Sequence, residues 1–125
     1  MERIKNYIKT NIKHLKETTD MTIPYIINNG LGTFLERECE VAFKAEKELY
    51  FFETINEHIE KDNFNKDEFY SMLNRYKELL SNNLLECKLH IYSTSHILNL
   101  VRLWEFETQS TILKRIDTIE KLLKK

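Results

Sequence analysis

The fold follows most directly from residues 64–104, which read FNKDEFYSMLNRYKELLSNNLLECKLHIYSTSHILNLVRLW. This stretch contains neither glycine nor proline, and its apolar side chains recur mostly every three or four residues. The apolar positions are Phe69, Leu73, Tyr76, Leu80, Leu84, Cys87, Ile91, Leu98 and Val101. That spacing places them along one face of a helix. Because so long an apolar face must be covered, the sequence predicts that other helices pack against it.

The segment before residue 30 carries a matching apolar stripe, made of Ile4, Ile8, Ile12, Leu15, Thr19, Ile23 and Ile26. Pro24 lacks the amide that a helix interior needs, so it predicts a kink near Asp20 or a restart capped by Thr22. Glycine is favoured in the left-handed conformation just past a helix end. The run NNGLG at residues 28–32 therefore predicts that the first helix stops near Gly30.

Two capping patterns mark the next helix starts. Thr33 with Glu36 resembles a capping box, followed by the stripe Leu35, Cys39, Ala42, Leu49, Phe52 and Ile59 and an end near residue 62. Asn65 and Glu68 form a second such pattern. Phe64 and Phe69 flank Asn65 at the positions of a hydrophobic staple.

The boundary between the third and fourth helices has no cap signature. Ser and Thr compete for backbone hydrogen bonds, so residues 93–96 (STSH) are the favoured break. Residues 81–83 (SNN) are the rival. If the chain breaks at residues 93–96, the last segment carries the stripe Ile97, Val101, Trp104, Thr108, Ile112, Ile116, Ile119 and Leu123.

Four segments of similar length predict an all-α, antiparallel up-and-down four-helix bundle, formed by one domain spanning residues 1–125. The alternative is that the third and fourth helices are continuous and that dimerisation completes the bundle.

The hydrophobic fraction of 42% and the charged fraction of 31% are typical of a soluble globular domain. The charged start predicts no signal peptide, and the longest uncharged run, residues 89–101, is too short to span a bilayer. We therefore expect a cytoplasmic protein in which Cys39 and Cys87 are buried free thiols.

No motif for catalysis, a metal or a cofactor is present. Ferritin-like sites place a Glu three residues before a His. In this sequence the residues three before the four histidines are Asn11, Ile55, Cys87 and Ser93, so the pattern is absent. A zinc site from Cys39, Cys87, His90 and His96 is not favoured, because both cysteines fit the core stripes. Four histidines are too few for a hemerythrin-like site. His58 and Lys61 have the spacing found in histidine phosphotransfer domains, but Asp62 replaces the small residue that follows. We therefore predict that the protein is not an enzyme.

Charge is unevenly distributed along the chain. Residues 1–16 hold five basic residues and one acidic residue, and residues 110–125 hold five basic and two acidic residues. Because the first and last helices of such a bundle are neighbours, the sequence predicts a basic patch where the chain ends meet. The patch residues are Arg3, Lys5, Lys9, Lys13, Lys16, Lys121, Lys124 and Lys125, with an acidic surface on the other helices. The net charge of −1 argues against dedicated nucleic-acid binding.

The apolar stripes are wider than one core requires. Tyr50, Phe51 and Phe52 are consecutive and span about 200° of a helix, so they cannot all face the same core. Leu103 and Phe106 likewise flank the fourth stripe. We predict that Tyr50, Phe51, Leu103 and Phe106 contact a partner, which is another protein or a second copy of the chain.

The leading functional hypothesis is therefore a small non-enzymatic interaction or regulatory protein, such as an inhibitor, an immunity-type protein or an adaptor. One alternative is a globin-like sensor domain that holds a small ligand or haem. A second alternative is weak binding of nucleic acid or an anionic surface through the terminal basic patch.

Overall fold

Four long helices make up the computed structural model, which describes residues 1–30, 35–89 and 96–124, with only the backbone described for residues 84–89, 96 and 97. The helices are α1 (Glu2–Asn29), α2 (Glu36–Ile59), α3 (Lys66–Leu89) and α4 (His96–Leu123). The described residues contain no β-strand. The predicted all-α, four-helix bundle is confirmed.

The helices pack as two hairpins, α1 with α2 and α3 with α4, and α2 then contacts α4. The rings of Phe43 and Trp104 lie 6.0 Å apart, and further along both helices Glu48 pairs with Arg115 at 2.8 Å. The residue numbers rise together on both helices. α2 and α4 therefore run in the same direction, as expected for alternate helices of an up-and-down bundle.

One apolar cluster fills the interior of the bundle. Its fully buried members include Ile8, Phe52, Leu73, Ile116 and Ile119, so each helix contributes part of its predicted stripe. The cluster lies towards the end of the bundle that holds the two chain termini. Towards the opposite end, no side chain of residues 20–30, 35–41 and 98–103 is buried.

The start of α3 is confirmed in detail. The side-chain oxygen of Asn65 accepts hydrogen bonds from the backbone amides of Asp67 at 2.9 Å and Glu68 at 3.1 Å. The rings of Phe64 and Phe69 pack with their centroids 5.6 Å apart, which forms the staple. All these partners lie within five residues of one another, which is why the local sequence sufficed to predict them.

The start of α2 differs from its prediction. Thr33 lies outside the described residues, and α2 begins at Glu36 with Leu35 preceding it and no side-chain cap. Glu36 is therefore the first helical residue and not the third as predicted, and the capping contacts of Thr33 lie outside the described residues.

The end of α1 is partly as predicted. The helix is continuous through Pro24 to Asn29, so the restart at Thr22 is wrong. Gly30 follows the helix as expected, but its φ of −89° is not left-handed. A Cβ atom at Gly30 would lie 2.6 Å from the carbonyl oxygen of Ile26. Close approach, and not a positive φ, therefore favours glycine at this position.

The third and fourth helices are separate. Lys77 of α3 lies 3.5 Å from Glu120 of α4, and a single straight helix could not bring these residues together. The alternative of one continuous helix is therefore wrong. Residues 81–83 lie inside α3, so the rival break is also wrong. α4 begins at His96, and residues 93–95 of the favoured break lie outside the described part of the chain.

Candidate functional site

Phe51 and Tyr50 are adjacent in sequence and point about 100° apart on α2, one into the core and the other to the surface. Phe51 is 1% exposed, and its ring packs against Phe52 and Tyr76 at centroid distances of 5.2 and 5.6 Å. The Phe51 ring is therefore part of the core, and the surface of the folded chain does not offer it to a partner. Tyr50 is 71% exposed, which leaves it available to a partner.

Tyr50 borders a shallow surface depression of about 590 Å³, which we call the α2 hollow. Its lining residues are Phe43, Glu46, Lys47, Leu49, Tyr50 and Glu53, all from α2. Phe43 and Leu49 are half-buried and supply an apolar floor, while the charged residues form the rim. The apolar periodicity placed Leu49 on the core stripe and did not mark Phe43 or Glu46 as surface candidates. Glu46 lies four residues before Tyr50 and Phe43 lies seven residues before it, so helical spacing could have identified both.

Contacts with the neighbouring helices hold the hollow in place. The ammonium of Lys47 lies 5.3 Å from the centroid of the Phe43 ring, which packs in turn against Trp104 of α4. Burial raises the pKa of Tyr76 on α3, and the nearby Tyr50 raises it further. Phe43 is therefore anchored on α4.

Ion pairs join α2 to α4, and one of them joins Lys47 of the hollow to Glu105 at 3.9 Å. Lys44 donates to Glu107 at 2.8 Å. Burial alone would lower the pKa of Lys44, but the hydrogen bond and charge of Glu107, together with Glu40, outweigh it and raise the pKa. Arg115 donates to Glu48 at 2.8 Å, and the Glu48 side chain is only 12% exposed. The partner carboxylates thus keep both cations charged and fix the register of the two helices.

Leu103 and Phe106 lie on α4 and do not line the α2 hollow. Leu103 is 39% exposed, and Phe106 is half-buried. The structure therefore does not gather the four predicted partner-binding residues into one site. Tyr50 is surrounded instead by other residues of the α2 hollow, and Leu103 is a separate exposed side chain on α4.

Further exposed apolar side chains, which the sequence did not predict, lie at the end of the bundle away from the termini. These are Met21, Tyr25, Ile27, Val41 and Leu98. Ile23 and Ile26, predicted as core residues, are only half-buried there. The apolar stripes extend along the helices beyond the last buried residues, so periodicity alone overestimated the length of the core.

The two chain ends do meet, as predicted, because Arg3 of α1 and Leu122 of α4 line one cleft. The patch residues Lys9, Lys13 and Lys124 are exposed, Lys5 is half-buried, and Lys125 lies outside the described residues. Two members have acidic neighbours. Lys16 lies 3.9 Å from Glu53, and Lys121 pairs with Asp117 at 3.0 Å, which lowers the pKa of the Asp117 carboxyl.

The remaining candidates for chemistry are dispersed. His14 is exposed, and half-buried His58 lines a small cleft with Lys61 at the turn between α2 and α3. Cys39 is a free thiol but is half-buried and not fully buried as predicted, while the side chains of Cys87, His90 and His96 are not described. Among the described residues, no group of three His, Cys, Asp or Glu side chains could hold a metal ion.

Comparison with known proteins adds no functional assignment. The sequence matches no protein-family model, and no curated protein and no solved structure is significantly similar to it. Within the described ranges, no helix has an apolar run long enough to cross a membrane.

Proposed function

We propose that this chain is a non-enzymatic protein-interaction protein that binds its partner through the α2 hollow. The exposure of Tyr50 beside this hollow carries the proposal. Tyrosine is enriched among the residues that dominate binding energy, because it combines a large apolar area with a polar tip and few rotatable bonds. The contacts from Phe43 to Trp104 and from Lys44 to Glu107 provide a rigid support, so little order must be gained on binding.

Affinity capture from the native host tests the proposal, with Tyr50→Ala as the altered bait. If Tyr50 is a central anchor of the interface, its loss should lower the affinity for the captured partner about 30-fold, the equivalent of roughly 2 kcal/mol. Met21→Ala is the matched control, because Met21 is 77% exposed and lies outside the hollow. It should retain the partner. Equal recovery by both altered baits would contradict the proposed role of the hollow.

A further inference from the structure

The helices α1 and α2 carry opposite charge, whereas α3 and α4 are balanced. α1 holds five basic and three acidic residues, while α2 holds three basic and seven acidic residues. α3 and α4 each hold four of either sign. The acidic surplus predicted for the other helices is therefore concentrated on α2, beside the basic helix.

The opposite charges form two parallel rows on one side of the α1–α2 hairpin. Lys5, Lys9, Lys13 and Lys16 follow one another at intervals of three or four residues and form a basic row on α1. Glu46, Glu53 and Glu57 share one side of α2, and with Glu60, which directly follows the helix, they form an acidic row that has Tyr50 between its first two members. Lys16 lies 3.9 Å from Glu53, which places both rows on the same face.

Most of these charges are not neutralised within the chain. Lys9, Lys13, Glu57 and Glu60 are exposed, and none of them forms an ion pair within the part of the chain that the structure describes. Because α1 and α2 are antiparallel, with Lys16 beside Glu53, Lys13 lies level with Glu57. A surface that offers unpaired charges of both signs in two adjacent rows is complementary to itself.

We propose that a second copy of this chain docks on the α1–α2 face, related to the first by a two-fold axis parallel to the helices. Such a rotation places the basic row of each copy over the acidic row of the other, at the same height along the axis. The contact is isologous and closes at two copies. Tyr50 lies within the acidic row, so its exposed ring faces α1 of the second copy. This inference rests on the proposed function and names the partner as a second copy.

The size of the face implies a weak, salt-sensitive dimer. Two helix diameters of about 10 Å and rows about 20 Å long give a footprint of roughly 400 Å². That is below the roughly 800 Å² that each partner buries in a standard interface. Complementary charge then supplies specificity and rapid association more than affinity.

Sedimentation of the purified full chain, at low and at high salt, tests the proposal. At low salt the mass should rise from 15.1 kDa towards twice that value between about 10 µM and 1 mM, and it should fall again as salt is added. Tyr50→Ala should weaken the association at least tenfold. A chain that remains at 15.1 kDa throughout the low-salt series overturns the proposal.

Charge exchange tests the pairing of the rows. One variant carries Lys9→Glu and Lys13→Glu, and the other carries Glu57→Lys and Glu60→Lys. In each variant alone, the substituted side chains of one copy would face side chains of the same charge on the other copy, so the variant should remain a monomer. An equimolar mixture of the two variants restores opposite charges across the interface and should regain the dimer. Circular dichroism of each variant verifies that its helices are intact. If either variant dimerises alone as well as the unaltered chain does, or if two folded variants fail to pair when mixed, the proposed interface is wrong.

These outcomes separate the dimer from the function proposed above. In one outcome the chain is strictly monomeric, and the Tyr50→Ala bait no longer captures a different protein that the unaltered bait captures. This outcome refutes the second copy but supports the α2 hollow as a binding site. A salt-sensitive dimer that pairs by charge exchange, combined with unchanged capture by Tyr50→Ala, supports the dimer and refutes the proposed role of the hollow in binding another protein.

Discussion

Replacing Phe51 and Tyr50 separately by alanine tests the orientation of α2, on which the candidate site depends. Phe51 is 1% exposed and packs against Phe52 and Tyr76. Removing a buried phenylalanine costs about 3–5 kcal/mol, and each lost ring pair adds about 0.5–1.5 kcal/mol to the loss of apolar area. We therefore expect Phe51→Ala to lose about 4–5 kcal/mol. A chain of this length has a free energy of unfolding of roughly 6–15 kcal/mol, so the loss is a large fraction of it.

Tyr50→Ala should change the free energy of unfolding by less than about 0.5 kcal/mol, because the side chain is 71% exposed. Urea unfolding followed by far-ultraviolet circular dichroism measures both variants. With the usual dependence on denaturant, Phe51→Ala should shift the midpoint by about 2 M, and Tyr50→Ala should barely shift it. A loss below about 1 kcal/mol for Phe51→Ala, or equal losses for the two variants, would show that α2 does not bury the face described above.

Two further predictions concern single interactions. Asn65→Ala removes the acceptor for two amides of α3 and should cost about 1 kcal/mol in urea unfolding, whereas the exposed Asn63→Ala should be nearly neutral; equal losses would exclude the cap. The pKa of Lys44 is raised above 10.5 in the folded chain, so its pairing with Glu107 stabilises the fold fully below pH 10.5 and stops doing so as the pH rises through the folded pKa. Glu107→Gln should therefore be less stable than the unaltered chain at neutral pH, and the difference should disappear in strong alkali; a difference independent of pH would refute a charged pair.

The helical class and the beginning of α3 could be predicted because the interactions that decide them are local. An apolar residue every three or four positions determines one face of a helix, whatever covers it later. The hydrogen bonds of Asn65 and the contact of Phe64 with Phe69 join residues less than two turns apart. Thr33 and Glu36 show the same sequence pattern, but α2 begins at Glu36, so Glu36 is not the third residue of the helix.

The candidate site depended on contacts between distant parts of the chain. The sequence alone established that Tyr50, Phe51 and Phe52 cannot all face one core, since three consecutive residues span about 200° of a helix. Only the packing of α1, α3 and α4 around α2 decided that Phe51 and Phe52 lie inside and Tyr50 outside. In the same way, composition revealed basic chain ends, but the basic row of α1 borders the acidic row of α2 because the hairpin brings Lys16 to Glu53. Burial and charge pairing join residues that are far apart in sequence, so helical periodicity could propose these residues but could not assign them to the core or the surface.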